Sequence, residues 1–232
     1  MADQLKEQKV YSIFQNISGN YDQANDRISL GMQKKWRKLM IDRVIANAPR
    51  GTRVLDVCCG TGDIALQIAN ARHDLKVTGI DFSPAMLNVA KTKKNGKKNV
   101  HFVQGNAMKL PYRDNCFSVA CISFGLRNTA DYRQVLQEMD RVVSKGGYIY
   151  CLDSFVPDCA IIRPFYRFYF KWGMPLLGGG KKYYQEYQWL YESTQQFLHR
   201  KELEVLYRRL GLRAVGHKSR MFGACVLVWG KK

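Results

Sequence analysis

Between Val54 and Phe155 the chain alternates between two hydrophobic periods. VLDVC (54–58), KVTGID (76–81), VHFVQG (100–105), SVACISFG (118–125) and YIYCLDSF (148–155) are short, largely apolar runs that read as strands. Between them, DIALQIANA (63–71), SPAMLNVAKTKK (83–94) and YRQVLQEMDRVVS (132–144) space their apolar residues as helices do. Ser83 followed by Pro84 predicts an N-cap and a first-turn proline, and Gly146-Gly147 close the third helix. Such alternation predicts a parallel, doubly wound sheet. Ligands bind these sheets beyond the carboxyl ends of the strands, where the strand order reverses.

The flanks follow other patterns. Residues 5–20 and 33–48 carry helical spacing, with Trp36, Leu39, Met40 and Val44 on one face and Pro49 as a stop. After Pro157 the alternation ends, and AIIRPFYRFYFKWGMPLLGGG (160–180) mixes aromatics with cations. Helical spacing resumes around 183–210, and two strand-like runs, about 212–218 and 223–229, close the chain. This divides the chain into a helical cap (1–48) contributing to a substrate site and a cofactor-binding core (49–156). A lid or membrane-facing insert (157–200) follows, and then a last helix and strands that complete the sheet (201–232).

One glycine turn falls at a strand end. Gly60, Gly62 and Ala65 fit G-x-G-x-x-A, and Asp81 ends the next strand, about twenty residues on. Such a turn presents backbone amides to a ligand, and the acid can accept both hydrogen bonds of a ribose diol. A nicotinamide dinucleotide satisfies this constellation nearly as well as S-adenosylmethionine does. Three features favour the latter. Asp56 lies within the first strand, where it can organise the turn and reach the ammonium of a methionine moiety. Thr61 sets its amide beside the carboxylate of that moiety. The chain has no second glycine fingerprint.

Cys58 and Cys59 stand at the mouth of this turn. Adjacent residues of an extended segment point to opposite sides, so the pair is poorly placed to chelate one ion, and no C-x-x-C or H-x-x-x-H pattern joins it. Filling space at a crowded strand end suits cysteine. His73, His101, His199 and His217 sit in no motif, and no metal site is expected.

Composition narrows the partners. No run of apolar residues is long enough for a transmembrane helix, and the first residues lack a signal-peptide block, so a cytoplasmic protein with free thiols is expected. The net charge is +18, far from neutral, which draws a chain to polyanions. On a helix, Arg163, Arg167 and Lys171 line one face of the aromatic insert, which suits either an anionic membrane surface or a lid with solvated cations.

VLDVCCGTGD, GIDFSPAMLNVAK, FVQGNAMKLPYRDNCFSVACISFGLRN and VLQEMDRVVSKGG together resemble the class I S-adenosylmethionine-dependent methyltransferases. ISFGLRN (122–128), FQNISGNYDQANDRISLGMQKKWRK (14–38), PFYRFYFKWGMPLLGG (164–179) and YQWLYES (187–193) narrow the resemblance to the C-methyltransferases of menaquinone and ubiquinone biosynthesis. It spans nearly the whole chain, in order. It implies a Rossmann-like seven-stranded sheet, mostly parallel, with helices on both faces and a C-terminal antiparallel strand. It further implies that Thr61 and Gly60 belong to the cofactor site, that Asp81 takes the ribose hydroxyls, that Asn106 and Ala107 border the adenine, and that Ser123 faces the cofactor. Cys58 stands where the usual D-x-G-x-G-x-G has its first glycine, a common substitution in that family. Two positions depart from it: Gln33 replaces a usual His, and Asp153 a usual Glu, so no general-base histidine is carried over.

The implied reaction is C-methylation of a polyprenyl quinol, demethylmenaquinol to menaquinol, with 2-methoxy-6-polyprenyl-1,4-benzoquinol as the alternative substrate. The reduced ring is required because its phenol can push electron density to the neighbouring carbon. Tyr21, Asp22, Arg127, Asn128 and Asp153 are the candidate polar groups around the ring. Arg127 would stabilise a phenolate, and Asp22 or Asp153 would accept a proton, directly or through water. Each has a plainer reading: Tyr21 in the core, Asp22 as a helix cap, Arg127 paired with Asp131 or another acid. A more distant alternative is an RNA methyltransferase. No RNA-binding module is appended, however, and ISFGLRN stands where an N-P-P-Y-type motif would follow the fourth strand, so no nucleic-acid partner is expected. Homodimer formation is left open.

Overall fold

The computed structural model describes residues 2–174 and 184–232. Its strands are β1 (Arg53–Val57), β2 (Lys76–Asp81), β3 (Val100–Gln104), β4 (Phe117–Ser123), β5 (Val143–Ser154), β6 (Arg213–Arg220) and β7 (Cys225–Lys231). They form one sheet in the order β3-β2-β1-β4-β5-β7-β6. The first five are mutually parallel, whereas β7 runs antiparallel to both β5 and β6. The order reverses between β1 and β4, which places the expected ligand crevice at their carboxyl ends.

The sheet is covered on both faces because its strands are apolar on both. Leu55, Val57, Ala120 and Ile122 enter one wholly buried cluster, while Val54, Val119 and Cys121 enter another. The first is closed by α6 (Tyr132–Val142) and α9 (Arg200–Arg209), through Leu136, Met139, Leu203 and Tyr207. The second is closed by α3 (Met32–Asn47) and α4 (Asp63–Ala71), through Met40, Val44, Ile64 and Ile68. In α5 (Pro84–Lys94) the expected cap is present: Ser83 accepts from the Met86 amide, with Pro84 at the first helical position.

Two expectations are corrected. The single helix over 5–20 is α1 (Ala2–Ile17), then one turn of 3-10 helix at Ser18–Asn20, then a further helix, α2 (Tyr21–Ile28). Ser-Gly-Asn is a poor helical sequence, and α2 forms because Ala24 and Ile28, one turn apart, are both buried. Gly146 and Gly147 do not close a helix but lie inside β5. A Cβ on Gly147 would stand 2.4 Å from the Ser118 carbonyl oxygen, so a bare backbone is needed for β5 to pass β4.

The insert begins with α7 (Arg163–Phe168), which runs on into a turn of π-helix at Tyr169–Gly173. Tyr166 and Met174 are buried, whereas Phe165, Phe168 and Trp172 are more than 60% exposed. Leu176 and the rest of the glycine-rich stretch up to residue 183 lie outside the described residues. The next helix, α8 (Tyr184–Gln196), carries Trp189 back to the core, where its indole Nε1 donates to Asn128 Oδ1 at 3.1 Å.

Candidate active site

At the carboxyl ends of β1, β2 and β4 the sheet opens into a pocket of about 390 Å³, within the range of small-molecule sites. Its floor is Cys58, Gly60, Ile80 to Phe82, Gly105 to Met108 and Ser123 to Gly125. Its roof is Glu7, Val10, Tyr11 and Phe14 of α1 with Tyr21 of α2.

The floor depends on backbone that side chains would obstruct. Gly62 has φ +80°, and a Cβ there would lie 2.6 Å from the Phe102 ring. Gly60 has φ +54° with nothing within 4 Å of its Cβ position, so its backbone lies open to the pocket. Cys58 adopts φ +53°, a left-handed conformation usual for glycine. Its Cβ stands 2.6 Å from where Gly125 would carry one, so each residue needs the other's shape. Cys59 turns away, toward Gly79 on β2. Burial pushes both thiols well above their usual pKa, so they stay protonated, which fits packing rather than nucleophilic or redox chemistry. No cluster of metal-ligating side chains occurs among the described residues.

Asp81 ties the turn to β2. Its Oδ2 accepts from the Gly60 amide at 2.8 Å and its Oδ1 from the Ser83 amide at 2.9 Å. Each oxygen retains a lone pair for a ligand hydroxyl. Desolvation raises its pKa. Asn106, Ala107 and Ser123 line the pocket, with Asn106 Oδ1 held by the Met108 amide at 2.8 Å. The Ser123 hydroxyl is buried and finds no hydrogen-bond partner among the described residues.

Other candidates are drawn elsewhere. Asp56 is 1% exposed and accepts from the Ala65 amide at 3.1 Å, so it fastens α4 to β1 and does not line the pocket. Burial raises its pKa to about 7. The Thr61 hydroxyl donates to Asp22 Oδ1 at 2.9 Å, and Asp22 also accepts from Lys93. Neither Thr61 nor Asp22 lines the pocket. Arg127 and Asp153 pair with each other, buried at 6% and 0% exposure, and Arg127 Nη1 also donates to the Phe124 carbonyl at 2.9 Å. Asp131 is instead the N-cap of α6. Of the candidate ring contacts, Tyr21 and Asn128 line the pocket. Burial raises the Tyr21 pKa above its ordinary value.

Glu7, Tyr11, Phe14, Phe82 and Phe124 were not anticipated. The first three share a helical face with Val10, at positions 7, 10, 11 and 14, which is a readable signal for α1. Nothing local marks Phe124, whose φ of +56° turns the chain after β4.

The sequence profile of the ubiE/COQ5 methyltransferase family matches residues 2–232. The chain belongs to this family. The methyltransferase is 43% identical to the demethylmenaquinone methyltransferase of Bacillus pumilus over 99% of each chain. It is 45% identical to that of Shouchella clausii over 99% of this chain and 98% of the other. A SAM-dependent methyltransferase structure from Thermotoga maritima matches it with a TM-score of 0.67 at 19% identity, covering 96% of this chain and 99% of that one. One from Aquifex aeolicus matches with a TM-score of 0.58 at 20% identity, covering 82% and 88%. These structures share the fold. The methyl donor is S-adenosylmethionine. The pocket suits it: the bare Gly60 backbone, the Asp81 carboxylate with a lone pair free on each oxygen, and the Ser123 hydroxyl without a partner among the described residues all face one cavity.

Proposed function

We propose that this methyltransferase methylates a ring carbon of a polyprenyl quinol, converting demethylmenaquinol to menaquinol. Its whole-length likeness to enzymes named demethylmenaquinone methyltransferase carries this reading. The aromatic and aliphatic lining contributed by Val10, Tyr11, Phe14, Phe82 and Phe124 supports it, since a fused aromatic ring needs apolar walls.

The donor supplies a methyl group activated by a sulfonium. Gly60 and Asp81 hold the ribose side, Asn106 and Ala107 border the adenine, and Ser123 gains a polar partner. Thr61 steadies the glycine turn through Asp22. Tyr21 keeps its phenolic proton at neutral pH, because burial raises its pKa, and Oη donates a hydrogen bond to a quinol oxygen. Glu7, the roof carboxylate that lines the pocket, takes the phenolic proton; once the ring carbon carries the methyl group, the hydrogen on that carbon leaves as a proton and the oxygen regains one, which restores the aromatic quinol. The Arg127–Asp153 pair acts by position, holding the Phe124 carbonyl and thereby the turn that carries Asn128. Alignment is the larger contribution: orientation supplies up to about 7–11 kcal/mol, against roughly 10²–10⁴-fold for a single acid–base group.

A polyprenyl tail partitions into a bilayer, so the enzyme must work at one. Phe165, Phe168 and Trp172, spaced three and four apart, form an exposed stripe beside the exposed Arg167 and Lys171. Phe222 is 72% exposed in a loop whose Gly223 packs on Pro157 and Asp158, at the start of the insert. No helix among the described residues is long and apolar enough to cross a membrane. The enzyme is accordingly read as peripheral, on an anionic cytoplasmic membrane face.

The test is methyl transfer from labelled S-adenosylmethionine to a short-tailed demethylnaphthoquinone, with and without dithionite, beside a tRNA control. Label entering the ring only after reduction supports the quinol reading. Label entering tRNA and not the quinol overturns it. Flotation with anionic liposomes addresses the membrane reading, which fails if the protein stays at the bottom of the gradient.

A further inference from the structure

Asn128 lines the pocket, yet both ends of its amide are engaged by residues around it. Nδ2 donates to the Phe124 carbonyl at 3.1 Å, and Oδ1 accepts from the Trp189 indole Nε1 at 3.1 Å. The two contacts agree on one orientation. A carbonyl only accepts and an indole N–H only donates, so nitrogen must face Phe124 and oxygen must face Trp189. The Phe124 carbonyl also accepts from Arg127 Nη1 at 2.9 Å, which occupies its second lone pair. It therefore takes only one of the two N–H bonds of Asn128, and the other has no acceptor among the described residues.

Trp189 stands behind the pocket wall. It belongs to α8, 61 positions from Asn128, is 6% exposed, and does not line the pocket. The Lys9 ammonium of α1 lies 4.7 Å from its ring centroid, and Lys9 also pairs with Glu192, about one turn further along α8. A buried indole needs a partner for its N–H, and Asn128 Oδ1 is that partner. The same bond acts on Asn128, because it draws the amide oxygen toward a residue outside the cavity. Without the indole N–H, Oδ1 would be left unpaired, and an unpaired buried carbonyl turns toward whatever can hydrogen-bond it. For a residue that lines the pocket, that is the cavity itself.

We infer that Trp189 is a positioning residue for methyl transfer: its indole N–H sets the Asn128 amide so that an N–H, and not a carbonyl oxygen, is offered to the quinol oxygen that gives up its proton. This rests on the quinol reading given above. A donor at that oxygen favours the deprotonated form, which pushes electron density to the ring carbon, whereas an amide oxygen there would repel the charge. If Asn128 served only to satisfy the indole, loss of the N–H would matter for packing alone and the chemistry would not depend on it.

Steady-state methyl transfer to a reduced, short-tailed demethylnaphthoquinone separates the two roles, with melting and calorimetric titration of S-adenosylmethionine as checks on folding and donor binding. Trp189→Phe keeps an aromatic ring beside Lys9 and removes the N–H donor. It should lower kcat about 10-fold while KM for the quinol and Kd for the methyl donor stay within about threefold of wild type. Trp189→His keeps a ring N–H on a smaller, more polar side chain and should retain more of kcat than Trp189→Phe; a packing role predicts the reverse order. In an Asn128→Ala background, Trp189→Phe should lower kcat no further. Asn128→Asp leaves α8 unchanged but has no N–H to offer, and it should lower kcat at least as far as Asn128→Ala. Wild-type kcat in Trp189→Phe or in Asn128→Asp, Phe ranking above His, or losses that multiply in the double variant would overturn the inference while leaving the quinol reading in place. Wild-type protein that does not methylate the reduced ring would overturn that reading, and this inference with it.

Discussion

The floor and the roof of the pocket are built by different means. The floor belongs to β1, β2 and β4, and the strand residues beneath it, such as Leu55, Val57, Ala120 and Ile122, are wholly buried in a large cluster. The roof, α1 and α2, rests on small clusters: Ile17, Ala24 and Met86 in one, Ile28 and Met174 in another. Polar ties supply much of its other attachment. Lys6 donates to the Thr129 carbonyl at 2.6 Å, Lys9 pairs with Glu192 at 3.0 Å, and Asp22 accepts from Thr61 at 2.9 Å. Partly exposed ion pairs contribute little, and segments with few buried apolar contacts open at lower free energy than the core. The floor is thus rigid, and the roof is the more easily displaced.

The largest expected effect sharpens that contrast directly. Asp153→Ala leaves Arg127 buried without its partner and should cost about 3–5 kcal/mol in urea unfolding. Lys9→Ala in the roof should cost less than about 0.5 kcal/mol. Comparable losses would mean the roof is as tightly held as the floor.

Next is the pH dependence contributed by Asp56. Burial raises its pKa in the folded state to about 7, so the folded chain holds this proton over a range in which the unfolded chain has released it. Its stabilising contribution is complete below about pH 4 and is lost as pH rises to about 7. Asp56→Asn should remove this dependence. The stability of the variant relative to wild type should rise across that window by up to about 4 kcal/mol and then level off. A difference that is the same at both ends of the window would contradict this account.

Gly62→Ala comes third. A left-handed backbone and a Cβ against the Phe102 ring should cost about 2–3 kcal/mol and weaken donor binding, measured by melting and calorimetry. Gly19→Ala, in the turn between α1 and α2 with nothing within 4 Å, should be neutral or slightly stabilising. The smallest effect on stability is expected outside the pocket. Phe165→Ser with Trp172→Ser should change unfolding by less than about 0.5 kcal/mol per site, yet reduce liposome binding severalfold.

The legibility of the fold follows the same division. α4 and β2 have the boundaries that their hydrophobic period predicts, and the Ser83 cap forms as read. The break after Ile17 was not read, since one helical face continues through Ser18–Asn20 and the buried partners of α2 lie on other elements. Within the pocket, Asp81 stands at the end of β2, where a local pattern finds it, whereas Asn106, just past β3, was named only by the family resemblance. Glu7 and Phe124 enter it only because a distant helix and an unusual backbone turn bring them there.

By itself, then, the sequence determined the alternation of strands and helices, the glycine turn and the acid at the end of β2. These depend on residue period and on neighbours close along the chain. Tertiary structure alone decided where the charged candidates went. Arg127 meets Asp153 across 26 positions, and Asp22 meets Lys93 across 71. No local pattern encodes such pairs, because they are selected by the cost of removing a charge from water without a partner, and that cost is set only when the chain has closed around them.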